Sequence, residues 1–556
     1  MSSKMLQLFT ERISTGLDHS SVKNSAEWAI KYRTLKGNSW NFERHPWLYE
    51  PHACTDPEIY CMKGAQIGFT EWLLNETFRL IDILAESVLY ALPTEDNARD
   101  FSAGRFDPAL EESKYLRSLF SEAKNVSFKR AGSACLYVRG VKSRAGVKSI
   151  PTAGIMMDEI DEWEEKVVKL VRERASGQVK KYIRGISTPS VAKRGIAKLY
   201  HQTTAERFFF KCPCCGQHEQ LTFDPDDEEA SSLVIPTDDP LSPKVQDSYY
   251  RCKKTNLILP HEDKKNWLSL ENTLYVPEFQ GRTMRGFHCN QLYSHSLTPA
   301  EIASNYLLSR ANPGELQEFY NNKLGETFAS EGASVTDADI EACLSNYKMA
   351  PAKNNNHLVT MGVDVGGTWL HVVIDQWFFD PRAVDQQQGS SVRTLKIIKV
   401  KEFEDLDPLI RQYGVNQIVI DAEPEGRKAR ATCAKYYGMA NVCHVNPSHV
   451  MRRPINATEG EVSISASRTY WLDQVLSRFK AAHKTRKLPN DTPQEFKDQV
   501  KALIRLYTRN KASNSIVAKY DSTDEDHYTF ACFFSEVAMM MSLGVPTSQD
   551  ITEDYY

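Results

Sequence analysis

The 556-residue chain has 41% hydrophobic and 25% charged residues, with 68 Lys and Arg against 72 Asp and Glu for a formal net charge of -4. This balance excludes a disordered or fibrous protein, and the length predicts about three to four folding units. No apolar run is long enough to cross a bilayer and residues 1–16 lack a signal peptide's apolar core, so an intracellular protein is expected, its twelve cysteines mostly reduced thiols.

Residues 1–40 are mixed and polar, with a helix predicted over 25–34, and could dock a partner. From 46 to about 200, β-type runs at 87–92, 134–138, 152–157 and 182–187 alternate with helical runs at 71–83 and 94–101. Such alternation predicts an α/β sheet.

Within it, Lys63-Gly64-Ala65-Gln66-Ile67-Gly68-Phe69-Thr70 departs from the phosphate loop G-x-x-x-x-G-K-[ST]. The second glycine and the hydroxyl are kept, Phe69 stands in the lysine's place, and Lys63 replaces the first glycine. A lysine at the front can reach phosphates from the other side, and a helix opening at Thr70 would offer its N-terminus to an anion. Some ninety residues on, the apolar run Gly154-Ile155-Met156-Met157 ends in Asp158 and Glu159. An aspartate there suits the Mg²⁺ shell of a nucleotide, and an adjacent glutamate can polarise water.

Between Lys124 and Lys148, the basic residues Lys129, Arg130, Arg139, Lys142 and Arg144 are interrupted by no acid; the stretch is either a solvated loop or a phosphate contact. Arg144 is the candidate for stabilising phosphoryl charge, with a DNA-phosphate contact as the rival role.

Residues 205–267 form a cysteine-bearing insertion. Cys212 and Cys215 make a C-x-x-C knuckle and Cys252 follows, but Thr255 occupies the place of a fourth cysteine. Cys214, His218 or His261 could complete a zinc tetrahedron; a relict ribbon held by packing is the alternative.

A polar linker is predicted at 351–357, then strands at 357–365, 370–378, 395–403 and 417–421, and a helix at 528–543. Asp364, among glycines that leave room for a backbone, and Asp421 each close an apolar strand. Asp526 stands before the helix and competes with Asp524 and Glu525 for a third place. Three acids on strand, strand and helix suit paired Mg²⁺ or Mn²⁺ ions for phosphodiester cleavage and match a ribonuclease H-like layout. Asp375 and Glu423 are expected to be exposed or capping acids. The aromatic groups at 208–210 and 533–534 are expected in the core.

The segment 63–70, Leu92-Pro93-Thr94 with Ala98, Phe101, Arg105 and Pro108, and Met157-Asp158-Glu159-Ile160-Asp161 together resemble the large terminase subunit of tailed bacteriophages, in its lambda-like GpA branch. Ser187-Thr188-Pro189 is similar to the family's coupling motif, and 319–326 to its segment before the nuclease. The resemblance, over about 30–540, implies an N-terminal P-loop-type ATPase domain at 41–350 and a ribonuclease H-like nuclease domain at 358–544. It further implies a viral packaging motor that uses ATP and Mg²⁺ to drive double-stranded DNA into a procapsid and cuts concatemers through Asp364, Asp421 and Asp526. The implied partners are a small terminase subunit, placed at 1–40, and a portal protein, placed at the tail 545–556. The motor would work as a homo-oligomer in the host cytoplasm, docked transiently on the procapsid. A helicase or repair-type ATPase-nuclease, or a DNA-binding structural protein with relict motifs, are the rival readings.

Overall fold

The computed structural model describes residues 21–120, 123–142, 150–329, 332–352, 356–383, 387, 389–446, 451–452, 463–480, 485–509 and 515–543. The chain divides into two compact units, Met1–Phe328 and Ala329–Tyr556.

The first unit is built on a parallel sheet. Its strands β1 (Glu58–Lys63), β2 (Val88–Leu92), β3 (Ala134–Gly140), β4 (Gly154–Asp158), β5 (Tyr182–Ser187), β6 (Glu206–Lys211) and β8 (Arg285–Cys289) lie in the order β6-β8-β1-β5-β4-β2-β3, with every neighbouring pair parallel. The short β7 (His218–Glu219) pairs antiparallel with β6. β2 and β4 are buried along their whole length, as parallel strands covered on both faces should be, which is why both read as continuous apolar runs.

Helix α1 (Ser25–Tyr32) is capped by Asn24 and packs on α2 (Phe69–Asp82). Trp28 stacks on Phe78 with ring centroids 5.6 Å apart, and Arg33 pairs with Glu71 at 2.9 Å. Residues 25–33 are therefore part of this unit's core rather than a free docking arm; 1–20 lie outside the described residues. At the centre, Glu76 accepts from Arg79 and Arg184 inside the protein. Burial alone would raise this carboxyl, but the two guanidiniums overcome it and hold it down at about 2.

The second unit carries a mixed sheet. Strands β9 (Val359–Val365), β10 (Leu370–Phe379) and β11 (Ser390–Val400) form an antiparallel meander, and β12 (Gln417–Asp421) and β13 (Ala440–Asn446) continue parallel from β9. Helix α3 (Gly426–Lys435) follows β12, and α4 (His527–Ser542) lies against the sheet. Gly362 makes that packing possible: a Cβ there would sit 2.0 Å from the Ala531 carbonyl oxygen and 2.3 Å from the Ser535 nitrogen. The space expected for a backbone is thus filled by this helix at Gly362, while Gly367 has nothing within 4 Å of a Cβ.

The division falls before the linker expected at 351–357. The helix Asp337–Cys343 buries Ile340 and Cys343 in the second core, and Leu344–Ser345 pairs with Arg486–Pro489. Asp375, expected to be exposed or capping, is fully buried. Its two oxygens accept from the two terminal nitrogens of Arg486 at 3.1 Å each, and from Thr394 and Ser535. Phe208, Phe210, Phe533 and Phe534 are buried, as expected.

Candidate active sites

In the first unit, β1 and β4 run parallel with β5 between them, so Lys63 and Asp158 emerge at the same sheet edge. That carboxyl edge is where open α/β sheets bind ligands. Lys63 ends its strand half-buried, and burial lowers its pKa against the raising influence of Asp158 and Glu159. The loop beyond is fixed from outside. The Gly64 amide donates to the Cys289 carbonyl at 2.9 Å, the Ala65 amide to the Asn322 carbonyl at 2.7 Å, and the Trp47 indole to the Ile67 carbonyl at 2.8 Å. Gly68 caps α2 at φ +91°, a left-handed conformation that glycine adopts without strain. The helix starts at Phe69; the Glu71 amide donates to the Gly68 carbonyl at 3.0 Å, which leaves the Phe69 and Thr70 amides without an acceptor within the helix. The Ile67 and Phe69 side chains are buried, so those two residues can serve a nucleotide through backbone alone. Gln66 is exposed and Thr70 half-buried.

Asp158 is buried, and burial raises its pKa against the Lys63 charge. Its oxygens are engaged: Tyr90 Oη donates to Oδ2 at 2.9 Å and the Glu159 amide to Oδ1 at 3.0 Å. Glu159 is exposed, at φ +54°. The next acid, Asp161, accepts from the Ser190 amide and hydroxyl and the Ile196 amide, which ties the 187–190 motif to this strand end. Asn321 donates to the Pro189 and Ser190 carbonyls, and its neighbour Asn322 accepts from the phosphate loop. The 320–325 turn thereby joins both motifs. Tyr90 and Asn321 were missed by sequence reasoning because each reads as part of an ordinary apolar strand or polar turn.

Arg144 lies outside the described residues. Of the basic stretch around it, Lys129 is buried and bonds Asp107 at 2.7 Å, while Arg130 and Arg139 donate to backbone carbonyls. Lys129 is thus a structural cation, while Arg130 is exposed and Arg139 half-buried.

In the second unit the register of β9 against β12 pairs Val363 with Ile420, so Asp364 and Asp421 are the next residue on each strand. Asp526 stands at the start of α4, and all three line one cavity of about 380 Å³ with Glu423, His444 and His527. Asp524 and Glu525 are exposed and do not line it. Glu423 is exposed, as expected, yet faces the cavity, and its amide donates to Asp421 Oδ1 at 3.2 Å.

Among the described residues, no arginine or lysine lines this cavity. Burial, and then the Asp364 carboxylate, push Asp421 up to about 7. Burial also raises Asp364 and Asp526, opposed by His527 and by Arg468 respectively. The donor group found in this unit among the described residues is Asp364, His371 and His527, whose ligating atoms lie within 4.8 Å of one another. His527 Nδ1 is 2.7 Å from Asp364 Oδ2, and the two imidazoles stack at 4.5 Å. The bond to Asp364 raises His527, while burial and then the His527 charge push His371 down to about 4. Sequence reasoning saw His527 only as the neighbour of Asp526; a histidine opening an apolar helix beside an acid was the available signal. A second cavity, about 790 Å³, shares Ala422, Glu423 and His444 with the first and is lined by Arg427, Lys428 and Arg430 of α3.

The chain thus carries a parallel sheet with a phosphate-type loop and a mixed sheet with an acid-lined cavity. Residues 35–273 match the family described as phage terminase large subunit gpA, ATPase domain, and 284–422 match terminase large subunit gpA, endonuclease domain. The large terminase subunit of Escherichia phage lambda is 26% identical over 345 residues, covering 55% of this chain and 52% of that protein. That of Enterobacteria phage P21 is 23% identical over 315 residues, covering 51% and 48%. The chain thus spans about half the length of the curated relatives it matches. The crystal structure of the HK97 bacteriophage large terminase shares the fold at a TM-score of 0.51 and 8% identity, covering 92% of this chain and 98% of that one. The chain belongs to the gpA-type large terminase subunits.

Proposed function

We propose that this protein is a genome-packaging motor: it hydrolyses ATP in the first unit to drive double-stranded DNA into a procapsid, and cuts concatemeric DNA in the second. The observation that carries this is the presence, on one chain, of an anion-binding loop facing Asp158 and Glu159 and of a cavity lined by three acids.

Lys63 and the amides of 66–70, the Gly64 and Ala65 amides being taken by the Cys289 and Asn322 carbonyls, hold the ATP phosphates; the Thr70 hydroxyl and Asp158 would take the accompanying Mg²⁺, and exposed Glu159 accepts a proton from the attacking water. Tyr90 orients Asp158 by its hydrogen bond. The network through Asp161, Ser190, Asn321 and Asn322 gives the two strand ends and the loop a common frame, through which hydrolysis is coupled to movement. In the second unit the hard oxygens of Asp364, Asp421 and Asp526 fit Mg²⁺ or Mn²⁺, because an acid held near 7 by burial and a neighbouring acid gains most from a cation. Such ions, when bound, supply an activated water and stabilise the departing oxygen. His527 holds Asp364 in place, and the arginines and lysine of α3 contact DNA phosphates beside the cut.

A small terminase subunit that selects DNA and a portal ring that receives the motor are the proposed partners, with the motor acting as a homo-oligomer in the host cytoplasm. The portal contact is assigned to 545–556, outside the described residues. The test is protection of DNA from nuclease by procapsids supplied with the protein, small subunit and ATP. Wild type should protect DNA and Lys63→Ala should not; deleting 545–556 should abolish protection while sparing both catalytic rates. Absence of protection with wild type would contradict the packaging reading, and undiminished protection after the deletion would contradict the tail assignment.

A further inference from the structure

The cysteine insertion closes on a residue that the ribbon pattern does not contain. Cys212, Cys215, Cys252 and Glu219 bring their ligating atoms within 4.8 Å of one another. The strand pairing explains why it is Glu219. In the β6–β7 hairpin, Lys211 faces His218 and Phe210 faces Glu219. Side chains alternate across a strand, so the pair on the solvent side is Lys211 and His218, both exposed, while Glu219 shares the inner face with fully buried Phe210.

The other expected fourth ligands are elsewhere. Cys214 directs its thiol to the Ile258 carbonyl at 4.0 Å, His218 is exposed, and His261 is outside the group. Both turns have the form of metal knuckles. The Cys212 amide donates to the Gln217 carbonyl and the Gly216 amide to the Cys212 carbonyl. Around Cys252 the amides of Cys252 and Asn256 repeat this with Leu257 and Cys252. The Thr255 amide reaches Cys252 Sγ at 3.4 Å, so Thr255, absent as a ligand, still serves through its backbone.

The thiols of Cys215 and Cys252 both donate to the same oxygen, Glu219 Oε1, at 3.1 and 3.2 Å. The other oxygen accepts from the Lys253 amide at 3.2 Å, which fixes the carboxylate's orientation. Two thiol protons converging on one carboxylate oxygen occupy the place of a soft-to-borderline divalent cation. Three sulfurs and one oxygen are a closed tetrahedral set for Zn²⁺.

We propose that residues 212–252 hold a structural Zn²⁺ through Cys212, Cys215, Cys252 and Glu219. Binding releases the thiol protons to solvent and leaves three thiolates and one carboxylate on the ion. The ion would staple the β6–β7 hairpin, which extends the main sheet, to the small sheet of Leu233–Val234, Tyr249–Arg251 and Ile258–Leu259. This is independent of the packaging reading, since it requires neither active site.

Elemental analysis of the purified full chain should find one equivalent of zinc. Exchange with Co²⁺ should give the visible bands of a tetrahedral site with thiolate-to-cobalt charge transfer. Glu219→Gln should weaken Zn²⁺ binding by more than about tenfold in a chelator competition. Cys214→Ser should leave it unchanged. In Glu219→Cys, which adds a fourth thiolate, charge-transfer absorbance per cobalt should rise by roughly one third. Because Cys252→Ser also disturbs a fully buried position, the assignment rests on Glu219→Cys and Cys214→Ser. Wild-type protein without zinc, an unchanged spectrum in Glu219→Cys, or weakened binding in Cys214→Ser would each overturn it.

Discussion

The two units solve opposite electrostatic problems with the same kind of strand end. In the first, Asp158 shares its sheet edge with Lys63 and receives two hydrogen bonds, which oppose the raising effect of burial without overcoming it. In the second, half-buried Asp421 stands beside Asp364, and among the described residues neither lysine nor arginine lines their cavity. A site for an anion carries its own cation and donors, whereas a site for cations holds unpaid negative charge until they bind. Deep in the cores the units agree, since each buries a carboxylate among arginines: Glu76 with Arg79 and Arg184, Asp375 with Arg486.

The largest effect should come from breaking that likeness. Asp375→Asn leaves Arg486 charged and fully buried and should destabilise the second unit by about 3–5 kcal/mol. Denaturant titration should show an early transition for this unit, with ATP turnover retained. A smaller loss is expected from His527→Ala, which removes the partner of Asp364 and should weaken Mn²⁺ binding by about 10- to 100-fold without affecting ATP turnover. Mn²⁺ titrations of the two proteins compare this directly; equal affinities would mean that His527 is only packing.

The pH dependence sharpens the contrast further. Asp421 is raised to about 7 in the metal-free protein and must lose its proton to bind a cation. Mn²⁺ affinity should therefore be nearly flat above about pH 8 and fall by up to about tenfold per unit below about pH 7. Calorimetry in buffers of different ionisation enthalpy should detect proton release near pH 6.5. The smallest change is Gly362→Ala, which forces α4 from β9 at a cost of about 1–3 kcal/mol and should lower cleavage more than its stability loss explains.

The acid-ending strands that carry the chemistry were legible because they are apolar and largely buried, whereas Glu58–Lys63, which leads into the phosphate loop, was not predicted. Tyr182–Ser187 and Gln417–Asp421 fall where the pattern places them, and the others shift by a few residues. What local pattern could not show was partnership at a distance. Asp375 looks like any acid in a strand until Arg486, far along the chain, is brought to it. Lys129 looks like part of a basic surface until Asp107 takes it, and Glu219 looks like an ordinary hairpin acid until the register turns it inward. Asp526 emerged from three adjacent acids only because the helix start aims one of them at the cavity. The helix at 25–32 was recognised, but its docking was not, since its apolar face gives no sign of what will cover it.

The central claim is that two separate active sites share this chain. Plasmid cleavage in Mg²⁺ or Mn²⁺ and ATP turnover, recorded in the same tubes for wild type, Asp364→Ala and Glu159→Gln, test it most directly. Asp364→Ala should lose cutting and keep ATP turnover, and Glu159→Gln should lose about 10²- to 10⁴-fold in ATP turnover and keep cutting. Cleavage by Asp364→Ala at the wild-type rate, or undiminished ATP turnover in Glu159→Gln, would contradict the assignment of that site.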